Sequence, residues 1–325
     1  MSGKENKHSV MTDSVKHIDV IIPTFCPDER LAALVKKLES QTVRPDNIWI
    51  INTLTDNSDK KNLPNPNDFV HVLNIGQYEF DHGATRNLGA SKSTADYLLF
   101  MTQDAVPENY TLIENLLNKF SNDNVAVAYA RQIAYEDDGL IERLTREFNY
   151  PDKDQTKTFS TKKVLGIKSC FCSNVCAMYD RSLFFSLGQF PKNMIFNEDM
   201  IFASKVINAK LAIEYASKAV VRHSHNYPLS KLFRRHFDLS VSQTQNKALF
   251  AEFSSNKEGV KFVKYVLREL WSRKEFFLCI KFIVQSAVKF AGHQTGKLYR
   301  ILPLSVVVKL SLNKNFWRKS LQQLL

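Results

Sequence analysis

Four short constellations place reactive side chains at intervals that chemistry can use. The run Tyr97-Leu-Leu-Phe-Met-Thr-Gln-Asp-Ala-Val-Pro107 carries an apolar strand into Gln103 and Asp104, and Pro107 blocks its extension. Open α/β sheets place ligand-binding groups at the C-terminal edge of short buried strands. Burying an unpaired carboxylate is costly, so Asp104 is expected at a rim, facing a cation. In Phe80-Asp-His-Gly-Ala-Thr-Arg-Asn-Leu-Gly-Ala90, Gly83 turns the chain into a helix whose free N–H groups suit phosphate, with Arg86 and Asn87 nearby. The same residues equally describe a glycine-led helix with a surface arginine. Asn197-Glu-Asp199 opens a helix that turns Ile201, Phe202 and Val206 inward, with Asn197 as cap. Two acids in a first turn commonly serve the helix dipole, a reading that fits Glu198 better than Asp199. Finally, Val220-Val-Arg-His-Ser-His225 sets His223 and His225 on one strand face, where two imidazoles near acids point to a metal or phosphate contact.

These groups need a scaffold, and the apolar pattern supplies one. His17-Ile-Asp-Val-Ile-Ile-Pro23, Asn47-Ile-Trp-Ile-Ile-Asn52, the run from Phe69 to Asn74, and Val125-Ala-Val-Ala-Tyr129 read as buried strands. Leu31, Leu34, Val35 and Leu38 recur at helical spacing between the first two. Strands alternating with helices imply an α/β fold with a mostly parallel sheet flanked by helices. Residues 133–169 read as a polar, irregular loop. Ser173 to Gly188 runs from an extended segment into a helix that Gly188 caps.

Charge divides the chain. The 325 residues carry a net +11, yet residues 230–325 hold 18 Lys and Arg against 5 Asp and Glu, a local +13 that leaves −2 for the rest. Residues 1–16 read as a disordered tail without the apolar core of a signal peptide, 17–229 as the catalytic domain, and 230–325 as a helical, basic, membrane-associating region. Within that region, Phe276 to Ala291 is the most apolar stretch, with Lys281, Gln285 and Lys289 forming one polar stripe. The stretch is shorter than the roughly 20 apolar residues of a membrane span, and a basic stripe beside a broad apolar face fits a helix lying among lipid headgroups or one packed on the core. Five cysteines without paired spacing argue for a reducing compartment, and Cys170, Cys172 and Cys176 read as buried thiols rather than a zinc site.

From about His17 to about Asp238 the chain resembles the family 2 glycosyltransferases, with their GT-A fold, and within them the rhamnosyltransferase-like members. The motifs that carry this are Val20-Ile-Ile-Pro-Thr24, Phe80 to Gly89, Thr102-Gln-Asp-Ala105, Asn197-Glu-Asp199 and His223-Ser-His-Asn-Tyr227. The resemblance implies that Pro23, Thr24 and the turn at Asn52-Thr53 hold the nucleotide base and that Arg86 and Asn87 lie by the base and diphosphate. Asp104 matches the second acid of the family's metal motif, and His223 or His225 its later metal residue, so Mg²⁺ or Mn²⁺ is expected there. Asp199 matches the general base, with Glu198 beside it on the acceptor side. Gln103 replaces a first acid and Asn52 a base-binding Asp; Gln-Asp-Ala is itself common in the rhamnosyltransferase-like subgroup.

The implied activity is inverting, metal-dependent sugar transfer, with L-rhamnose from dTDP-L-rhamnose favoured. The implied acceptor is a lipid-linked glycan of bacterial surface polysaccharide, and the location is peripheral on the cytoplasmic face of the membrane, against its anionic surface. The residue types agree: a divalent ion on a carboxylate neutralises a diphosphate leaving group, and one base suffices for one displacement. A glycoside hydrolase needs two opposed carboxylates, which the sequence neighbours Glu198 and Asp199 cannot provide. A UDP-sugar donor, a non-catalytic sugar-nucleotide binder and a nucleic-acid binder are the alternatives; no nucleic-acid motif supports the last.

Overall fold

The computed structural model describes residues 15–55, 62–253 and 258–322. The expected disordered tail therefore lies outside the described residues, apart from Val15 and Lys16. The first half of the fold follows the apolar pattern. Strand β1 (Ile18–Phe25) is nearly all buried; α1 (Glu29–Glu39) starts at Asp28, whose carboxylate accepts from Arg30 N, and packs Leu31, Leu34, Val35 and Leu38 inward. There follow β2 (Asn47–Leu54), β3 (Val70–Gly76), α2 (His82–Lys92) and β4 (Tyr97–Met101), then the short β5 (Val106–Pro107) and α3 (Leu112–Leu117). β6 (Val125–Ile133), α4 (Leu140–Asn149), β7 (Gln155–Lys157) and α5 (Lys162–Leu165) lead through a 3₁₀ turn at Gly166–Cys170 to β8 (Cys176–Asp180). α6 (Arg181–Ser186), α7 (Glu198–Asn208) and β9 (Ala212–Arg222) complete the sheet-bearing part.

The strands form one sheet in the order β3-β2-β1-β4-β8-β6-β9-β5, with β7 also on β9. β3, β2, β1 and β4 run parallel, as expected; β8 then enters antiparallel to both β4 and β6, so the sheet is mixed beyond β4. Helices cover both faces. α1 and α3 pack with Val20, Ile22, Leu99 and Met178 on one side. On the other, α6 and α7 bring Phe184 and Phe202 against Phe100, Tyr179 and Phe190.

Two sequence expectations change. Residues 133–169 are not an irregular loop, because Leu140, Ile141 and Leu144 share the inner face of α4 beneath its charges. β9 also begins earlier and stops at Arg222, so His223 and His225 stand just past the strand rather than on it.

Beyond Pro228 the chain is helical: α8 (Leu229–Gln245), α9 (Lys247–Ala251), α10 (Glu258–Ser272), α11 (Phe276–Lys297), α12 (Leu304–Leu310) and α13 (Lys314–Gln322). The expected boundary near 229 coincides with the start of α8, yet the apolar packing crosses it. Ile195 joins Phe237, Val241, Val307 and Trp317, and Leu144 joins Val266, Leu270 and Phe282. α11 extends to Lys297, making 22 residues, longer than the stretch that composition alone marked out. It lies tightly along α8: a Cβ at Gly292 would come 2.3 Å from the Phe233 carbonyl oxygen, and one at Gly296 2.5 Å from that of Phe237.

Candidate functional site

The carboxyl edge of the sheet gathers Asp104, His223 and His225, whose ligand-capable atoms lie within 4.8 Å of one another. Asp104 follows β4 at its C-terminal end; its Oδ1 is 3.6 Å from His223 Nε2 and its Oδ2 3.4 Å from His225 Nε2. The spacing that sequence assigned to a strand survives in the extended segment after β9, where the two imidazole centroids are 4.7 Å apart.

The network behind His223 fixes its tautomer. Arg146 Nη1 donates to Gln132 Oε1 at 2.8 Å, and an arginine has only donors, so that atom is an acceptor. His223 Nδ1, 3.0 Å from the same Oε1, must therefore carry the proton, leaving the Nε2 lone pair toward Asp104. Metal-binding histidines are oriented in this way by an acceptor behind the ring. Burial, with Arg146 adding to it, pushes the His223 pKa well below the ordinary histidine value. His225, stacked on Tyr227 at 4.8 Å between centroids, is lowered to about 4, again by burial and against the pull of Asp104. Both rings are neutral at pH 7, as ligands must be. One carboxylate and two neutral imidazoles fit a divalent cation. Arg30 Nη1 stands 4.0 Å from Asp104 Oδ2, but its guanidinium is forked onto Asp28.

The second cluster is built on α7. Asn197 takes the cap position in the left-handed region, φ 67°, and its side chain makes no cap bond, contrary to expectation. Glu198 turns into the protein, where Arg86 Nη1 meets its Oε1 at 3.2 Å and Asn174 Nδ2 at 3.4 Å. Although burial alone would raise it, Arg86 and His82 hold the Glu198 carboxyl below its usual range. Asp199, only partly buried, accepts from Met200 N at 2.7 Å and Asn174 N at 3.3 Å. Desolvation and the Glu198 charge beside it lift Asp199 to about 7. A carboxylate that titrates near neutrality is poised to accept a proton. Glu198, expected on the acceptor side, is buried against Arg86, and its charge lies beside Asp199.

The residues expected around the nucleotide are placed differently. Asn52 is buried between Thr24, whose Oγ1 donates to Asn52 Oδ1 at 3.1 Å, and Asn74, which accepts from Asn52 Nδ2 at 2.9 Å. Pro23 pairs in register with Ile51 on β2. Gln103 clasps the backbone of Phe25, accepting from its N–H at 2.8 Å and donating to its carbonyl at 3.1 Å. Asn87 spans the backbone of Phe190 in the same manner, at 2.9 and 3.2 Å. The N-terminus of α2 is capped by Asp81, which accepts from Ala84 N at 2.7 Å, and a Cβ at Gly83 would lie 2.0 Å from the Pro191 carbonyl oxygen. That helix end is closed by protein and is no open phosphate cradle. Cys170, Cys172 and Cys176 are free and buried, as expected, and burial raises all three thiols.

A cleft of about 540 Å³ opens beside these groups, lined by Phe25, Thr53, Phe80 and His82 from the first half and by Arg235, Asp238 and residues 312–315 and 318 from the last third. Sequence reasoning missed Gln132, Arg146, Asn174, Arg235 and Asp238. Only Asp238, a lone acid in a basic helix, carried any signal.

Known proteins resemble the chain in sequence and in fold. The model of the family described as "Glycosyl transferase family 2" matches residues 19–187. The chain is 34% identical over 304 residues to the O-antigen chain rhamnosyltransferase RfbN of Salmonella typhimurium, covering 92% of this chain and 96% of that one. It is 34% identical over 301 residues to WbaN of Salmonella anatum, which bears the same description, covering 92% and 95%. In fold it resembles a mannosyltransferase of Pyrobaculum calidifontis solved with GDP-Man and Mn²⁺ (TM-score 0.61, 11% identity, 89% of this chain and 88% of that one). It also resembles S. aureus TarS 1–349 solved with UDP-GlcNAc (TM-score 0.50, 14% identity, 94% and 92%).

Proposed function

The chain belongs to glycosyl transferase family 2 and is a glycosyltransferase, and from that premise we propose that it transfers L-rhamnose from dTDP-L-rhamnose, with inversion, to a lipid-linked glycan. The observation that carries the chemistry is the pairing of a carboxylate–imidazole cluster with a separate carboxylate lifted to about 7. The rhamnosyl donor and the glycan acceptor come from the likeness to the two O-antigen chain rhamnosyltransferases.

Asp104, His223 and His225 would hold the divalent ion, Mg²⁺ or Mn²⁺, which when bound supplies Lewis-acid neutralisation of the departing diphosphate. Asp199 accepts the proton of the acceptor hydroxyl as its oxygen bonds to the anomeric carbon and the bond to the diphosphate oxygen breaks. One displacement gives inversion. Asn174 braces both acids, donating its backbone N–H to Asp199 and its side-chain amide to Glu198. Gln132 holds His223 in the tautomer that turns its lone pair to Asp104.

The acceptor's lipid is met through α11. Phe277, Ile280, Ile283 and Phe290 are more than half exposed on one face, whereas Gln285 and Lys289 turn toward α4 and the 225–227 segment. Gln285 and Lys289 of the polar stripe thus face protein, Lys281 stays exposed, and the apolar face is outermost, the reverse of a water-facing helix. With exposed Lys274, Lys281, Lys297 and Arg300 around it and a regional charge of +13, this face suits an anionic bilayer surface on the cytoplasmic side. Because the glycine face of α11 is locked on α8, the association is peripheral.

The test is release of nucleoside diphosphate from dTDP-L-rhamnose, UDP-sugars and GDP-sugars, with and without chelator. The proposal expects dTDP-L-rhamnose to be preferred and EDTA to abolish turnover. Preference for a UDP-sugar would replace the donor and leave the class standing; full activity in excess EDTA would remove the metal role of Asp104.

A further inference from the structure

The cleft beside the catalytic groups is closed on one side by a segment that sequence assigned to the membrane-associating region. Asp238, on α8 and 3% exposed, accepts from Leu312 N at 2.8 Å and Asn313 N at 3.4 Å. This ties the entry to α13 across to α8. Trp317, buried against Ile195 and Phe237, fixes the helix itself. The consequence is electrostatic. Lys314 and Arg318, four residues apart on one face of α13, line the cleft together with Arg235 of α8. No ion pair among the described residues engages any of the three. Asp238 is the one carboxylate among the described lining residues; its Oδ2 accepts from both amides, while its Oδ1 is buried without a hydrogen-bond partner among the described residues.

The opposite wall has an unmet polar group. Thr53, at the carboxyl end of β2 and 2% exposed, has a buried Oγ1 without a hydrogen-bond partner among the described residues. Arg235 also stands over the Phe196 ring at 4.8 Å and near that of Tyr227 at 5.9 Å, and Tyr227 is stacked on the candidate metal ligand His225. It therefore lies between the carboxylate–imidazole cluster and the cleft. Three cations outside any ion pair among the described residues, beside a spare hydroxyl in a 540 Å³ cleft, are what an extended polyanion needs.

We propose that Arg235, Lys314 and Arg318 form a diphosphate-binding subsite completed by the C-terminal segment, with Asp238 as its positioning residue. The inference rests on the transferase reading above, in which a diphosphate can come from the nucleotide donor or from a lipid diphosphate bearing the acceptor glycan. Both present the same chemistry, so the experiment separates them.

Isothermal titration in the presence of Mg²⁺ would use dTDP for the first and farnesyl diphosphate for the second, on the full chain. The double variant Lys314→Ala/Arg318→Ala, at two exposed positions, should weaken at least one ligand about tenfold or more. Loss of dTDP affinity assigns the subsite to the donor; loss of farnesyl diphosphate affinity assigns it to the acceptor. Asp238→Ala should reproduce the loss, whereas Asp238→Asn, which keeps one oxygen for the two amides, should restore it. Unchanged affinity of the double variant for both ligands would overturn the inference while leaving the transferase reading intact. Failure of the wild type to bind either ligand would overturn both.

Discussion

The amides at the carboxyl edge of the sheet and the ionisable groups beside them obey different rules. Gln103, Asn52 and Asn87 each use both ends of the amide on protein partners, chiefly backbone, so they are complete as they stand. Asp104, His223, His225 and Asp199 are not complete. A carboxylate faces two neutral imidazoles at more than ordinary hydrogen-bond distance, and another is held near neutrality by burial and a neighbouring charge. Satisfied polar groups build the frame, and groups kept short of satisfaction are free for substrate, cation or proton.

The largest effect should come from Asp199. Asp199→Asn preserves size and one of the two backbone hydrogen bonds but removes the proton acceptor, so turnover should fall by ~10²–10⁴ while dTDP binding changes little. A variant retaining more than a tenth of wild-type turnover would return Asp199 to the frame. The same raised pKa carries a stability cost. The unfolded chain ionises this carboxyl near pH 4, whereas the folded chain retains its proton until about pH 7, so Asp199 loses stability for the fold as pH rises through that window. Thermal melts should therefore show the wild type losing stability between pH 5 and pH 8, and Asp199→Asn, which does not titrate, losing less over the same range.

Arg86 tests the opposite case. Arg86→Met leaves Glu198 buried without its cation and should cost about 3–5 kcal/mol in chemical denaturation. A loss below 1 kcal/mol would show that Glu198 has another partner. A smaller, sharper contrast comes from two glutamines. Gln132→Met removes the acceptor behind His223 and should weaken Mn²⁺ binding roughly 10–100-fold. Gln103→Met removes two bonds to an exposed backbone and should cost only about 0.5–1.5 kcal/mol of stability, with Mn²⁺ affinity unchanged. If the two variants exchange phenotypes, the division between frame and working groups fails.

How far this was legible in the sequence depends on the kind of residue. Strand-to-carboxylate patterns singled out Asp104 and the two histidines, which the fold brings within 4.8 Å of one another, because residue type and spacing survive into the fold. The same patterns did not show the intramolecular partners of Gln103, Asn52, Asn87 and Arg86, which come from distant segments such as Phe25, Asn74, Phe190 and Glu198. Gly83 pointed to an anion only because sequence cannot show the Pro191 carbonyl that fills its missing side chain. α4 was hidden by its charges, since three apolar residues on one face sufficed to hold it. For α11, composition revealed the two faces but not which one faced outward.

That orientation predicts the smallest effect on catalysis. Replacing Phe277, Ile280 and Val284 with Ser should release the protein from anionic liposomes in co-sedimentation while leaving dTDP affinity unchanged. Wild-type protein that does not co-sediment at low salt would assign the apolar face to a protein partner.

The most direct test of the contrast between satisfied and poised groups is the pH dependence of nucleoside diphosphate release with acceptor present. In the wild type the rate should rise about tenfold per pH unit below 7 and level off above it, because Asp199 must lose its proton first. Asp199→Asn should flatten that limb along with the loss of turnover. A wild-type profile already flat between pH 5 and 8, or a variant that keeps the rising limb, would contradict the assignment of Asp199 as the base.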